Sequence, residues 1–224
     1  MNPAGGRGET HHTSQQHAVA WLRRAIVEGE LRPGKHIQQD EIAERIGVSL
    51  IPAREALKVL EGEGQVTYIP RKGYFVSELH AEDLIEVNML RELLEDRAAR
   101  AAVDLLDDDA LDRLEQAAED CSVASTTGDV AAELAANRRF HFGIFEVGGG
   151  THMMRLIRLL WESTEAYRAI YYNNEAERHA ADEAHERILD AARARDADRL
   201  VAELDAHRDR ALRTLVQILS RQEQ

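Results

Sequence analysis

Cysteine is all but absent from this chain: Cys121 is alone among 224 residues, so no disulfide can close within one molecule, as expected of a protein kept in a reducing cytoplasm. No apolar run is long enough to span a membrane, and residues 1–15 have no apolar core for a signal peptide. That opening, rich in Gly, Thr, His and Gln, reads as a disordered tail. Nucleophilic catalysis finds no Ser-His-Asp or Cys-His arrangement. Gly148-Gly149-Gly150 has neither a preceding strand nor a following Lys-Ser/Thr pair, so it reads as a helix connection and not a phosphate cradle. An excess of positive charge is missing too, since the net charge is −13.

The acidity is unevenly placed. Residues 1–80 hold ten Lys/Arg against ten Asp/Glu, whereas residues 81–224 hold eighteen against thirty-one, so the whole imbalance lies in the second part. A length of 224 residues suits two modest domains, here residues 16–78 and 79–224.

Residues 39–76 carry the densest local signals. Ile42, Ala43 and Ile46 mark one helix face, and Gly47 ends that helix by tolerating the left-handed conformation. Ser49 is placed to cap a second helix, with Pro52 in its first turn, where a missing N–H does little harm. Ala53, Ala56, Leu57 and Leu60 form its apolar stripe, leaving Arg54 and Lys58 to project elsewhere. Residues 65–69 and 73–77 are short β-type runs joined by Pro70-Arg71-Lys72-Gly73. Ahead of them, Ala18, Leu22, Ala25 and Ile26 mark an amphipathic first helix, ended by Gly29. The expected unit is a winged helix-turn-helix, which enters a DNA major groove with the N-terminus of its second helix. Ser49, Leu50, Ile51, Arg54 and Lys58 would lie along the groove, Arg54 on phosphate or a guanine edge. Arg71, Lys72 and Gly73 would form a wing tip against the backbone or minor groove.

Pro52-Ala53-Arg54-Glu55-Ala56-Leu57-Lys58, continued to Gly64 and followed by Gly73-Tyr74-Phe75-Val76, resembles the DNA-binding domain of the GntR family of bacterial transcription regulators over residues 16–77. Members often carry Ser-Arg-Thr-Pro before this helix, where the chain has Ser49-Leu50-Ile51-Pro52. Leu50 replaces a common base-reading Arg, so the operator of relatives does not carry over, and Leu50 and Ile51 could meet thymine methyls.

From residue 81 onward the pattern is helical, with breaks at 107–109, 126–129, 148–150, 173–174 and 195–197, about six helices in all. The first, near 82–106, spaces Leu84, Val87, Leu90, Leu94, Ala98 and Ala101 helically. The expected fold is mainly α: a winged helix followed by an all-α antiparallel bundle with a Leu- and Ala-rich core, Cys121 buried in it.

Asn137 and His141 are four residues apart on one helical face, His185 adjoins the stripe of Ala181, Ala184, Ile188 and Leu189, and His207 shares a face with Leu204 and Ala211. Three histidines on three helices can converge on a divalent ion, although a helix-face His is more often an ordinary core or surface residue. The Asn-Arg-Arg-Phe-His run, Glu-Ala-His-Glu-Arg and the final Ala-His are similar to the FadR C-terminal (FCD) domain of one GntR branch. In many FCD domains an Asp and three His bind a divalent metal. That resemblance implies a Zn or Ni site at Asn137, His141, His185 and His207, with Asn137 in the Asp position bringing an amide oxygen but no charge. It also implies a small carboxylate effector, with Arg91 matching an Arg common on the domain's first helix. Arg91 has an alternative role, a salt bridge to Glu95 at i+4. Tyr167, Tyr171 and Tyr172, taken to end one helix with Trp161, either line that pocket or pack. The other histidines, His11, His12, His17, His36, His80, His152 and His179, are expected to be structural or exposed.

The resulting reading is a homodimeric, cytoplasmic transcription regulator, a repressor by family habit, with no membrane partner. It would bind a pseudo-palindromic operator and sense a small carboxylate at a metal site. A metal-dependent hydrolase is the rival; its general base would have to be Glu186, which lies about 100° round the helix from His185. A third reading is an architectural DNA-binding protein with a structural bundle.

Overall fold

The computed structural model describes residues 13–78 and 80–222. The expected tail therefore lies mostly outside the described residues, His11 and His12 with it. Its last part needs correction, because helix α1 (Ser14–Val27) already includes Ser14 and Gln15. Thr13 caps that helix: its hydroxyl accepts from the Gln16 amide at 3.2 Å, and its own amide donates to the Gln16 side chain at 2.9 Å. The Thr-x-x-Gln pair is a capping box, a local signal that outweighs the polar composition around it.

The N-terminal domain continues with β1 (His36–Ile37), α2 (Gln39–Ile46), α3 (Leu50–Gly62), β2 (Val66–Ile69) and β3 (Gly73–Val76). Gly47 closes α2 at φ 75°, and Ser49 is the N-cap residue of α3 without a side-chain capping bond. The sheet has the antiparallel order β1-β3-β2, with Ile37 opposite Tyr74 and Val66 opposite Val76. Strand β1 was not anticipated; two residues are too few to show alternation. Leu22, Ile37, Leu57, Leu60, Val66 and Val76 close a core between the helices and this small sheet.

The second domain holds α4 (Ala81–Ala102), α5 (Asp108–Thr127), α6 (Val130–Gly148), α7 (Thr151–Ser163), α8 (Glu165–Tyr172), α9 (Glu175–Arg193) and α10 (Ala197–Gln222). Among the described residues these are seven helices where about six were expected. The stretch read as one helix beside Trp161 breaks at Thr164, whose hydroxyl turns back to the carbonyls of Leu160 and Trp161 at 3.2 and 3.3 Å. No Gly or Pro marks the break, which is why the pattern hid it. The first bundle helix also stops four residues early, at Ala102. Arg195 then ties the following turn by donating to the carbonyls of Val103 and Leu106 at 3.1 and 3.0 Å.

Phe140, Ile144, Phe145, Ile157, Trp161 and Ile188 form the main bundle core, and Cys121 is buried as expected. Helices α4 and α6 cross so closely that a Cβ on Gly148 would meet the Ala98 carbonyl and lie 2.5 Å from the Ala102 nitrogen. The two domains touch where α1 meets α8, with Ala166 packed against both cores. Among the described residues no helix is long and apolar enough to cross a membrane.

Candidate DNA-reading surface and buried histidine cluster

The start of α3 stands clear of the core. Leu50 is 42 % and Ile51 74 % exposed, and Ser49, Arg54 and Lys58 are exposed beside them. Arg54 Nε donates to Gln39 Oε1 at 3.0 Å, and Lys58 pairs with Glu55 at 2.9 Å. Gln39, which the sequence did not single out, thus holds Arg54 from the first turn of α2. At the wing tip Lys72 N donates to the Ile69 carbonyl at 3.0 Å, and Arg71 sits at φ 66°. Pro70 followed by a left-handed residue is a type II arrangement whose second place favours Gly. Keeping an arginine there costs on the order of 1 kcal/mol, so its charge is the feature to explain. Gly73, at φ 97°, packs under His36, where a Cβ would lie 3.0 Å from Nε2. The start of α3 and the wing tip each present exposed basic side chains, Arg54 and Lys58 on one and Arg71 and Lys72 on the other.

The bundle works from the inside. His141 from α6, His185 from α9 and His207 from α10 converge, with ring centroids 5.4, 5.2 and 5.1 Å apart. One ring nitrogen from each lies within 4.8 Å of the others. His141 and His185 are buried, and His207 is partly so. Burial holds all three below the usual imidazole range: His141 and His185 well below, each also facing His207, and His207 at about 4, with Arg91 and Arg208 adding to the effect. They are therefore neutral near pH 7, the state in which imidazole donates to a metal.

The donor set fits a divalent ion. Two donors with ~2.1 Å bonds to one ion are at most about 4.2 Å apart, so the cluster needs only a small contraction. Asn137 Oδ1 lies 3.0 Å from His185 Nε2, close to the spacing of neighbouring donors on an octahedral ion with ~2.1 Å bonds. The Nδ1 atoms of His185 and His207 are buried with no hydrogen-bond partner among the described residues, an unanswered polar requirement at the cluster.

Asn137, His141 and His207 open on a cavity of about 60 Å³, bordered also by Arg91, Arg168 and Tyr171. Arg91 lines it while making the salt bridge that was its alternative role, Nε to Glu95 Oε1 at 2.7 Å. Glu95 is buried and also accepts from Trp161 Nε1 and Arg208 Nη1, both at 2.7 Å. Burial alone would push this carboxyl up, but Arg91 and Arg208 hold it below its ordinary value. Arg168 and Arg208 escaped the sequence reading, and so did the meeting of Glu95 with Trp161 and Arg208, because only the fold brings them together. Tyr171 and Tyr172 line the cavity, but Tyr167 does not; it borders a separate cavity beside Val27 and Gly29, on the α1 side of α8. His17, His36, His80, His152 and His179 are exposed and lie outside the cluster.

A winged helix joined to a helical bundle with a cavity lined by histidine and arginine is the architecture of a DNA-binding regulator. Residues 14–76 match the family model described as bacterial regulatory proteins, gntR family, and residues 86–210 match that of the FCD domain. The chain belongs to the GntR family and carries an FCD domain. Escherichia coli McbR is 29 % identical over 157 residues, covering 70 % of this chain and 71 % of that protein. The Nta operon transcriptional regulator of Aminobacter aminovorans is 28 % identical over 195 residues, 86 % and 90 % of the two chains. The solved structure of E. coli McbR/YncC superposes with a TM-score of 0.79 at 25 % identity, covering 95 % of this chain and all of that one. A putative GntR regulator from Rhodococcus sp. RHA1, at 20 % identity, shares the fold with a TM-score of 0.78 over 91 % of this chain. The protein is a DNA-binding transcriptional regulator and not an enzyme, which sets aside the hydrolase reading.

Proposed function

We propose that this regulator, on the FadR branch of its family, binds a pseudo-palindromic operator as a homodimer. A small carboxylate would control it through a divalent metal held by Asn137, His141, His185 and His207. The observation that carries the reading is the convergence of three neutral imidazoles, two of which border an arginine-lined cavity. The ion would supply Lewis acidity and open positions for a carboxylate, with Zn or Ni suited to a nitrogen-rich set. Arg91 and Tyr171 would help orient the effector. The operator would be read by Ser49, Leu50, Ile51, Arg54 and Lys58, and its backbone held by Arg71, Lys72 and Gly73. The natural site of action is the cytoplasm, and the mode repression. A dimer is supported by the exposed stripe Ile85, Met89 and Leu93 on α4, with Leu156 and Leu159 exposed on α7. Effector binding would change operator affinity by its difference in affinity for the two forms.

Metal content of protein purified without tag or chelator, compared with His185→Ala, tests the site. About one ion per chain, lost in the variant, is expected; no ion in either would overturn it. Fluorescence anisotropy on DNA upstream of the gene, with and without small carboxylates, tests the regulation.

A further inference from the structure

The guanidiniums around the cavity are not equivalent. Arg91 and Arg208 share the buried Glu95, and Arg208 also pairs with Asp96 at 3.1 Å and with Asp205. Arg168, on α8, has no carboxylate within ion-pair distance among the described residues. It is only 9 % exposed. Its Nη1 donates to Thr164 Oγ1 at 3.0 Å and its Nη2 to the Trp161 carbonyl at 2.6 Å, while Nε is buried without a partner. Its guanidinium carbon lies 4.4 Å from the centre of the Trp161 ring. Burial, reinforced by Arg91, lowers its pKa to about 9, which still leaves it charged near pH 7.

A local account exists: Arg168 caps the C-terminal end of α7. A helix end carries roughly half a negative charge, so this answers only part of the cation and leaves Nε unsatisfied. Buried charges are normally paired, and a lone one bordering a cavity points to a partner that enters the cavity.

We infer that Arg168 is the anion anchor of this cavity and that the effector is a short dicarboxylate, one carboxylate on Arg168 and the other toward His141 and His207. The inference rests on the effector reading above and narrows it. The lining carries two kinds of anion-binding group, the imidazoles of His141 and His207 beside Asn137, and Arg168 with Thr164, so one molecule with two carboxylates can engage both. Its small volume, about 60 Å³, favours the shortest such molecules. Arg91, already neutralised by Glu95, is left to orient the ligand.

Thermal shift and titration calorimetry on the full-length, metal-containing protein test this, with acetate, malonate, succinate and inorganic phosphate as probes. Metal content is measured for every variant, to show that the histidine end is intact. Malonate or succinate should stabilise the wild type more than acetate does at equal concentration. Arg168→Met should melt at or above the wild-type temperature without ligand, since it removes an unpaired buried charge, and should lose at least tenfold in dicarboxylate affinity. Arg168→Gln serves if the Met variant does not fold. Equal dicarboxylate affinity in wild type and variant, with a lower melting temperature, would make Arg168 a helix cap alone and overturn the inference. Acetate matching the dicarboxylates, or phosphate binding more tightly than either, would overturn the ligand class. No response of the wild type to any probe would remove the effector reading itself, and this inference with it.

Discussion

In the winged helix, Arg54, Lys58, Arg71 and Lys72 stand in water on a scaffold whose core is closed and apolar. In the bundle, His141, His185, Glu95, Arg168 and Arg208 are withdrawn from water into the core itself. The first region meets a macromolecule too large to be enclosed, so its side chains need only a rigid platform. The second, on the proposed reading, surrounds a small ligand, and every polar group buried there needs a partner or a reason to lack one. Function and stability are therefore separable in the first region and entangled in the second, and substitutions should show it.

The largest effect is expected where the bundle has no room. Gly148→Ala drives a methyl into the α4 backbone at Ala98 and Ala102, and should destabilise the protein by about 3 kcal/mol, at the upper end of overpacking effects. Urea denaturation followed by circular dichroism measures it; a loss below ~1 kcal/mol would mean that α4 and α6 can part easily. On the other side of the comparison, Arg54→Ala should weaken operator binding by about 1–3 kcal/mol with no change in melting temperature. Unchanged anisotropy titrations would put Arg54 outside the interface, and a lower melting temperature would show that its bond to Gln39 supports the fold.

Glu133 sharpens the contrast by pH. It is 1 % exposed on α6, neither carboxylate oxygen has a hydrogen-bond partner, and the guanidinium of Arg178 is no nearer than 3.9 Å. Burial, with Asp182 adding to it, raises its pKa to about 8. A raised carboxyl pKa means that the folded state holds a proton the unfolded chain releases near its ordinary value. This stability is fully present below about pH 4.5, and is lost as pH rises through 8. The slope is at most one proton, about 1.4 kcal/mol per pH unit. Glu133→Gln keeps the shape without the charge, so its melting temperature should fall less than the wild type's between pH 5 and pH 9, roughly the window spanned by the two pKa values. Parallel curves would show that water or Arg178 already accommodates the carboxylate.

Legibility in the sequence followed the same division. The helix-turn-helix announced itself because its determinants are neighbours: Gly47 takes the left-handed place, Pro52 falls in a first turn, and Ala53, Ala56, Leu57 and Leu60 repeat at helical spacing. The three histidines were legible as helix faces, and the fold does gather them. What surrounds them was not legible. Glu95 meets Trp161 across 66 positions and Arg208 across 113, and no local pattern encodes contacts at that separation. The break at Thr164 depends on a hydroxyl bonding to its own helix, which looks like ordinary helix sequence until the backbone is seen. That break starts α8 afresh, sending Tyr167 to the α1 side while Tyr171 and Arg168 face the cavity.

The smallest expected effect tests the exposed side most finely. Arg71 holds φ 66°, a conformation that glycine adopts at no steric cost. Arg71→Gly should relieve strain of order 1 kcal/mol, partly offset by the greater freedom of glycine in the unfolded chain, for a net change in stability of a few tenths. The lost cation should lower operator affinity about equally for matched and unmatched DNA, and reduce the slope of log affinity against log salt by about 1. A wing that reads bases would instead lose affinity mainly for the matched site. Stability nearly constant while the salt slope falls is the result that the separation of platform from contact requires, and no substitution at the buried cluster should reproduce it.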